Sequence, residues 1–244
     1  MTLLMVMTER RICRVYDLWS KLYDRTFVVV AHKRQHSAIA QLHLSPGDRV
    51  LDLGVGTGST LSRYPEDVCV VGVDLSRGML SQAAEKRTNG RLDHCELIQG
   101  DAMYPPFADA SFDHIIISHT ISVVSDPLRV MQWAARLVRP GGRVVVLNHF
   151  QSTRPVLAVL GKALNPLCMW MGWRSDLALE ALLQNHDLQL EYCFQQRIAD
   201  LWTIVVLSRP PAHARRGWET GTLPEQDEPS DVCRQATVGA LSGG

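Results

Sequence analysis

The residues best placed to do chemistry sit in the run VLDLGVGTGST, residues 50–60. Gly54, Gly56 and Gly58 are spaced G-x-G-x-G, and Asp52 stands two residues before the first of them. Glycines here let the backbone turn sharply and come close to a ligand. The spacing differs from the G-x-G-x-x-G of dinucleotide loops. An acid at Asp52 would repel a pyrophosphate, whereas a ligand carrying an ammonium or a sulfonium would be attracted. Sixteen residues after Gly58, VVGVDLS ends a second β-rich run on Asp74. A carboxylate there can accept two hydrogen bonds from a ribose diol. Asp101, in GDAMYPPF, follows a third such run. It stands where a carboxylate or the adjacent backbone can contact an adenine amino group. Each feature alone has a plainer reading, a tight turn for the glycines and a helix cap for Asp74. Together the three acids fit an adenosyl ligand with a ribose diol, an amino acid moiety and a positive sulfur, which is S-adenosylmethionine.

Such acids need strands to carry them to one edge. The spacing predicts strands at RVLDL (49–53), VCVVGV (68–73), HCELIQ (94–99), FDHIIIS (112–118), GRVVVLNHF (142–150), LQLEYCFQ (188–195) and LWTIVVLS (201–208). VVGV, HIIIS and VVVL are near-continuous runs of β-formers, the pattern of strands buried on both faces of a parallel sheet. Helical patterns fall between them. SRGMLSQAAEKR (76–87) starts on Ser76 as N-cap, and DPLRVMQWAARLVRPGG (126–142) starts on Asp126 with Pro127 in its first turn. Arg139-Pro-Gly-Gly is expected to stop the second helix. Alternating strands and helices imply an α/β, doubly wound, Rossmann-like seven-stranded sheet with right-handed crossovers. The last two strands are joined too closely for a crossover, so the last strand must be antiparallel.

The flanks differ from this core. RRICRVYDLWSKLYDRTF near the start is amphipathic, with Ile12, Val15, Tyr16, Trp19, Leu22 and Tyr23 on one stripe. Residues 9–36 hold seven Lys or Arg and three acids. At roughly 1 kcal/mol per net charge on an anionic surface, that gives only about millimolar binding, so apolar insertion must contribute. The helix can equally cover the cofactor pocket. A second apolar stretch, RPVLAVLGKALNPLCMWMGWR (154–174), suits a lid over an acyl chain or a helix packed on the sheet. The expected division is N-terminal amphipathic helices over 1–48, a catalytic domain over 49–210 with the lid at 154–174, and a disordered tail over 211–244, poor in large apolar residues.

Composition narrows the function classes. Apolar residues make up 46% of the 244 and charged residues 20%, which excludes disorder over most of the length. Twenty-five basic and twenty-five acidic residues leave no net charge, arguing against a nucleic-acid binder. The six cysteines form no C-x-x-C pair, so neither a metal site nor a disulfide framework is expected, and reduced thiols in a cytoplasmic protein are. No apolar run reaches the ~18 residues of a membrane span, and MTLLMVM lacks the flanks of a signal peptide.

The order D-x-G-x-G-x-G, Asp74, Asp101 and RPGGR closely resembles the class I methyltransferases. VYDLWSKLYD, LSPGDRVLDLGVGTGSTLSRYP, VVGVDLSRGML, ISVVSDP, LVRPGGRVVVLNHF and LWTIVVL together resemble the bacterial phosphatidylethanolamine N-methyltransferases. The resemblance covers roughly residues 12–208. It implies S-adenosylmethionine held by Asp52, Gly54, Gly56, Gly58, Asp74, Leu75, Asp101, Ala102 and Ser118. It also implies stepwise methylation of a lipid amine toward phosphatidylcholine, at the inner face of a membrane. Ornithine lipids and soluble amines are the alternatives. His119-Thr120 departs from the apolar pair expected there and bears on headgroup choice.

Such a reaction needs an aligned acceptor, excluded water and an unprotonated amine. Tyr16 is the first candidate near the reacting methyl, because its helix should close the cofactor site. His149 ends the fifth strand, where ligands bind in open α/β sheets, and could relay a proton or meet a headgroup phosphate. Tyr23, His119 and Arg174 are the candidate substrate-binding residues: an aromatic wall, a strand-end histidine and a phosphate partner beside the lid.

Overall fold

The computed structural model describes residues 33–150, 177–196 and 202–211. Tyr16, Tyr23, Arg174, the apolar stretch 154–174 and the tail beyond residue 211 lie outside the described residues.

Seven strands form one sheet: β1 (Arg49–Leu53), β2 (Cys69–Asp74), β3 (Cys95–Gln99), β4 (Phe112–Ser118), β5 (Val138–His149), β6 (Gln189–Phe194) and β7 (Trp202–Ser208). Their order is β3-β2-β1-β4-β5-β7-β6. The first five pair parallel, and β7 lies antiparallel between β5 and β6. The strand order reverses between β1 and β4, which is where an open α/β sheet leaves a crevice at the carboxyl ends of its strands.

Among the described residues the helices are α1 (residues 33–40), α2 (Arg77–Gly90), α3 (Pro127–Leu137) and a short α4 (Leu179–Leu182), with a 3-10 turn at Leu61–Arg63. Ser76 caps α2 by accepting from the Met79 backbone N–H at 3.1 Å. Asp126 caps α3 by accepting from that of Arg129 at 3.0 Å, with Pro127 in the first turn. The stop at Arg139–Gly142 works differently from the expectation. Helix α3 ends at Leu137, and the Arg-Pro-Gly-Gly run is already strand. Phe112 pairs with Val138 and His114 with Arg143, so the extra residues bulge out of β5. Gly142 is forced there, since a Cβ would come within 2.1 Å of the Asp113 carbonyl oxygen.

The inner strands have two buried faces, whereas the edge strands β3 and β6 are only partly covered. Leu51, Leu53, Ile115, Ile117, Val144, Val146 and Val205 pack against α3 and α4. Val50, Val70, Ile116, Val145, Leu147 and Ile204 face the other way, against Ala38, Ile39 and Leu42 at α1. At roughly 1.5–3 kcal/mol per fully buried aliphatic side chain, these two layers hold the sheet. Side chains alternate along a strand, so the second face continues onto Asp52, Ser118, His149 and Trp202 at the strand ends. The polar residues of the site thus share a face with α1. Of the described cysteines, Cys69 and Cys95 are free. Cys193 is disulfide-bonded, so the expectation of reduced thiols does not hold at that position.

Candidate active site

The glycine loop leaves β1 beneath the end of β2. The backbone N–H groups of Gly54 and Val55 both donate to the Val73 carbonyl, at 2.7 and 3.0 Å. Gly54, Gly56 and Gly58 all have positive φ, between 57° and 82°. Gly54 also lacks room, because a Cβ would sit 1.9 Å from Thr120 Oγ1. Gly58 is squeezed from the other side, with Leu61 and Ala83 within 3 Å of any added Cβ. Gly56 has open space around it, so its backbone is the part of the loop a ligand can approach.

Asp74 ends β2 and locks this arrangement. Its carboxylate accepts from the Gly56 N–H at 2.9 Å and from the Ser76 N–H at 2.8 Å. Two oxygens have about four lone-pair sites, so both bonds leave acceptor capacity for a diol. Asp101 follows β3 and accepts from the Met103 N–H at 2.8 Å, which fixes the loop after it. Asp74, Leu75, Asp101, Ala102, Ser118 and His119 line one cleft with Gly54 and Gly56. It holds about 800 Å³ of empty space, counting the open solvent at its mouth.

The cleft continues into a smaller recess lined by Asp52, Thr57, Ser118 and Gln35. Asp52 is almost fully buried and accepts from Tyr64 Oη at 2.9 Å and Thr60 Oγ1 at 3.0 Å. Burial pushes its carboxyl up from the usual range to about 6, against the lowering effect of the two hydroxyls. Tyr64 is pushed well above its ordinary value by burial and by Asp52, so it stays a donor. Near neutral pH the carboxylate is ionised, and it suits a cationic ligand group. As the pH falls through about 6 it takes up a proton and loses that attraction. We therefore expect S-adenosylmethionine affinity to fall roughly tenfold between pH 7 and pH 5, the unit by which pH 5 lies below this value. Asp52→Asn should bind weakly at pH 7 and show no such slope in titration calorimetry; an equal slope in both would place the titrating group elsewhere.

The ends of β4, β5 and β7 form the other wall. His149 is the register partner of Trp202 across β5 and β7. His119 follows β4 with φ +59°, a backbone conformation few side chains adopt. Its ring meets Trp202 edge-on, 6.0 Å between centroids. Burial, aided by His149 and Arg34, pushes the His119 imidazole down to about 3. Burial also lowers His149. Both rings are therefore neutral at physiological pH. Ser118 Oγ is buried and has no hydrogen-bond partner among the described residues.

All nine expected cofactor residues fall at the glycine loop or the strand ends around it, and His119 and His149 fall beside them. Sequence reasoning missed Thr60 and Tyr64 on Asp52, Val123 and Val124 in the cleft wall, and Arg34 and Trp202; it marked Thr120 without its contact under Gly54. Val123 and Val124 lie in the SVVSDP run, whose place after β4 was the available signal. Nothing local in the chain marks the others. Among the described residues no group of three or more His, Cys, Asp or Glu could hold a metal ion, and no helix is long and apolar enough to cross a membrane.

The donor set fits an adenosyl sulfonium: carboxylates where a diol and a cation would lie, an open backbone glycine, and an unsatisfied serine hydroxyl. Comparison with known proteins agrees. A family described as a methyltransferase domain matches residues 51–146. Phosphatidylethanolamine N-methyltransferase of Cereibacter sphaeroides is 37% identical over 180 residues, covering 73% of this chain and 88% of that protein. Demethylmenaquinone methyltransferase of Halalkalibacterium halodurans is 34% identical over 165 residues, covering 63% and 67%. The solved YcgJ protein of Bacillus subtilis shares the fold, with TM-score 0.63 and 20% identity, over 74% of this chain and 99% of that one. The chain belongs to the class I S-adenosylmethionine-dependent methyltransferases. It is an enzyme with S-adenosylmethionine as cofactor, and within its class it resembles the bacterial phosphatidylethanolamine N-methyltransferases.

Proposed function

We propose that this enzyme methylates a lipid amine, phosphatidylethanolamine and its partly methylated intermediates, toward phosphatidylcholine. The observation that carries the reading is the likeness to a phosphatidylethanolamine N-methyltransferase over most of both chains. Two neutral imidazoles beside the cofactor cleft support it.

Bound, the cofactor supplies a methyl group already activated on a cationic sulfur. The chain's own residues have the rest to do. Asp52, Gly56, Asp74, Asp101 and Ser118, with Gly54, Gly58, Leu75 and Ala102, hold the adenosyl and amino acid parts. The acceptor amine must present a lone pair, yet a primary amine has a pKa of about 10.4 in water. Transfer into a closed pocket lowers it. His149, neutral at the end of β5, is the proton acceptor in this reading. His119, held down at about 3, is too weak a base to keep a proton and serves as a neutral wall. To Tyr16 we assign a role at the reacting methyl, to Tyr23 an aromatic wall and to Arg174 the headgroup phosphate, all three outside the described residues. The basic amphipathic segment before residue 33 brings the enzyme to an anionic membrane surface.

The direct test is incubation with radiolabelled S-adenosylmethionine and a total lipid extract. Label in monomethyl, dimethyl and trimethyl phosphatidylethanolamine is expected. The demethylmenaquinone methyltransferases among the relatives favour a second reading, a quinol acceptor. Label in the quinone fraction, with none in phospholipid, would replace the amine by that ring carbon.

A further inference from the structure

We propose that the Ser118 hydroxyl faces the cationic sulfur of the cofactor and distinguishes the methyl donor from its demethylated product. The inference rests on the assignment of the main cleft to the adenosyl half and of the recess to the amino acid half. It is independent of which acceptor is methylated.

S-adenosylmethionine carries its transferable methyl on the atom that joins its two halves. The cleft lined by Asp74 and Asp101 suits the adenosyl half, and the recess lined by Asp52 suits the amino acid half. Four residues line both chambers: Gly54, Gly56, Ser118 and His119. A ligand that fills both chambers must pass its sulfur among these four. Strand register gives the same height. Asp52 is the partner of Ile116 across β1 and β4. Ser118 lies two residues farther along β4 on the same face, about 7 Å toward the carboxyl end at roughly 3.3 Å per residue. In the cofactor three carbons separate the ammonium from the sulfur. An ammonium at Asp52 therefore brings the sulfur level with Ser118.

The state of Ser118 points to a ligand. The residue is 9% exposed, and its Oγ has no hydrogen-bond partner among the described residues. Its backbone carbonyl is already engaged, accepting from Thr120 Oγ1 at 3.1 Å. A buried hydroxyl without a partner costs stability, and a ligand that supplies one recovers that cost on binding. With no bond to hold it, the side chain can turn among its staggered wells toward either chamber. The hydroxyl oxygen has two lone pairs to present to a positive sulfur and to the polarised C–H bonds of its methyl. Both attractions end when the methyl leaves, because the sulfur keeps the bonding electron pair and becomes a neutral thioether. Burial holds the adjoining His119 neutral, its imidazole pushed down to about 3, so this ring adds no like charge against the sulfonium.

The test is titration calorimetry with S-adenosylmethionine and with S-adenosylhomocysteine, which differ by the methyl and the charge it confers. Ser118→Ala should raise Kd for S-adenosylmethionine by about three- to tenfold, the scale of weak contacts to a charged group. Kd for S-adenosylhomocysteine should stay within about twofold. An analogue with an ammonium in place of the sulfonium should weaken as the methyl donor does. The ligand-free variant should melt about 2–4 °C higher, because an unsatisfied buried hydroxyl is gone. Ser118→Cys, with a weaker acceptor of similar shape, should show a smaller loss for the donor alone, and it carries the comparison if the alanine variant does not fold. Equal weakening of both ligands would mean that Ser118 holds a part they share, and no weakening of either would mean that the hydroxyl faces neither; both overturn the proposal. A lower Tm for ligand-free Ser118→Ala would show that the hydroxyl already has a partner, and overturns it too. Asp74→Ala keeps the two failures apart. It should weaken both ligands alike, since both carry the ribose, and if it weakens neither, the assignment of the cleft to the adenosyl half fails whatever Ser118 does.

Discussion

Asp74→Ala will weaken S-adenosylmethionine binding by about a hundredfold or more. The carboxylate is the acceptor through which β2 holds the glycine loop, and it is our proposed acceptor for the ribose diol. Hydrogen bonds to a charged group contribute roughly 1.5–3 kcal/mol each, and two of them correspond to about 10²–10⁴ in affinity. Alanine also releases the Gly56 and Ser76 N–H groups that Asp74 now accepts, so the loop loses its preset shape. Asp74→Asn should do little better. Its single carbonyl oxygen can serve one of those N–H groups, and its amide then faces the other donor to donor. The measurement is titration calorimetry, with ligand-induced thermal stabilisation as an independent readout. A ligand at a hundred times its Kd stabilises the native state by about 2.7 kcal/mol. That shift in Tm should be present in the unsubstituted enzyme and lost in both variants. An unchanged Kd in Asp74→Ala would mean that the diol is bound by another group.

The second large effect belongs to a single methyl group. Gly54→Ala places a Cβ 1.9 Å from Thr120 Oγ1 and 2.8 Å from Thr120 Cβ. Rotating the threonine side chain relieves the first contact and leaves the second. The substituted residue must also keep φ near +82°, which costs about 1–2 kcal/mol for a side chain other than glycine's. Overpacking adds about 1–3 kcal/mol. For a chain of this size, roughly 2–5 kcal/mol lowers Tm by about 5–15 °C. Cofactor binding should fall below detection, because the loop backbone itself is displaced. The double variant Gly54→Ala/Thr120→Ala separates the two costs. It should recover the packing part of the Tm loss and retain the backbone part. Full recovery would show that φ at this position carries no strain, and no recovery would show that Thr120 is not what the methyl meets.

His119 shows how burial decides chemistry in this site. A histidine at a strand end reads from the sequence as a candidate for the headgroup, and in the fold it lines the cleft beside the glycine loop. Its surroundings, however, push the imidazole down to about 3. His149, one strand over on the same face, keeps the better claim to a proton because its ring is less deeply buried. The two residues have the same side chain at neighbouring strand ends, and burial, with the added charges of His149 and Arg34 at His119, sets them apart.

Much of this was present in the order of amino acids. Short runs of β-forming residues, near-continuous where both faces are buried, located all seven strands, most of them within a residue or two, because that signal is local. The glycine loop, Asp74 and Asp101 were legible for the same reason, since the turn and the strand end that place each of them are short-range features. β5 was the exception, and there the bulge at Gly142 depends on the neighbouring strand. The tertiary structure alone decided which polar groups meet. Arg34 and Trp202 lie at opposite ends of the chain and touch only because β7 inserts antiparallel beside β5. Thr60 and Tyr64 reach Asp52 because the 3-10 turn folds back over β1. A strand's sequence records which of its faces is buried. Which strand lies beside it, and so which distant side chain shares its desolvated pocket, is settled by packing of the whole sheet.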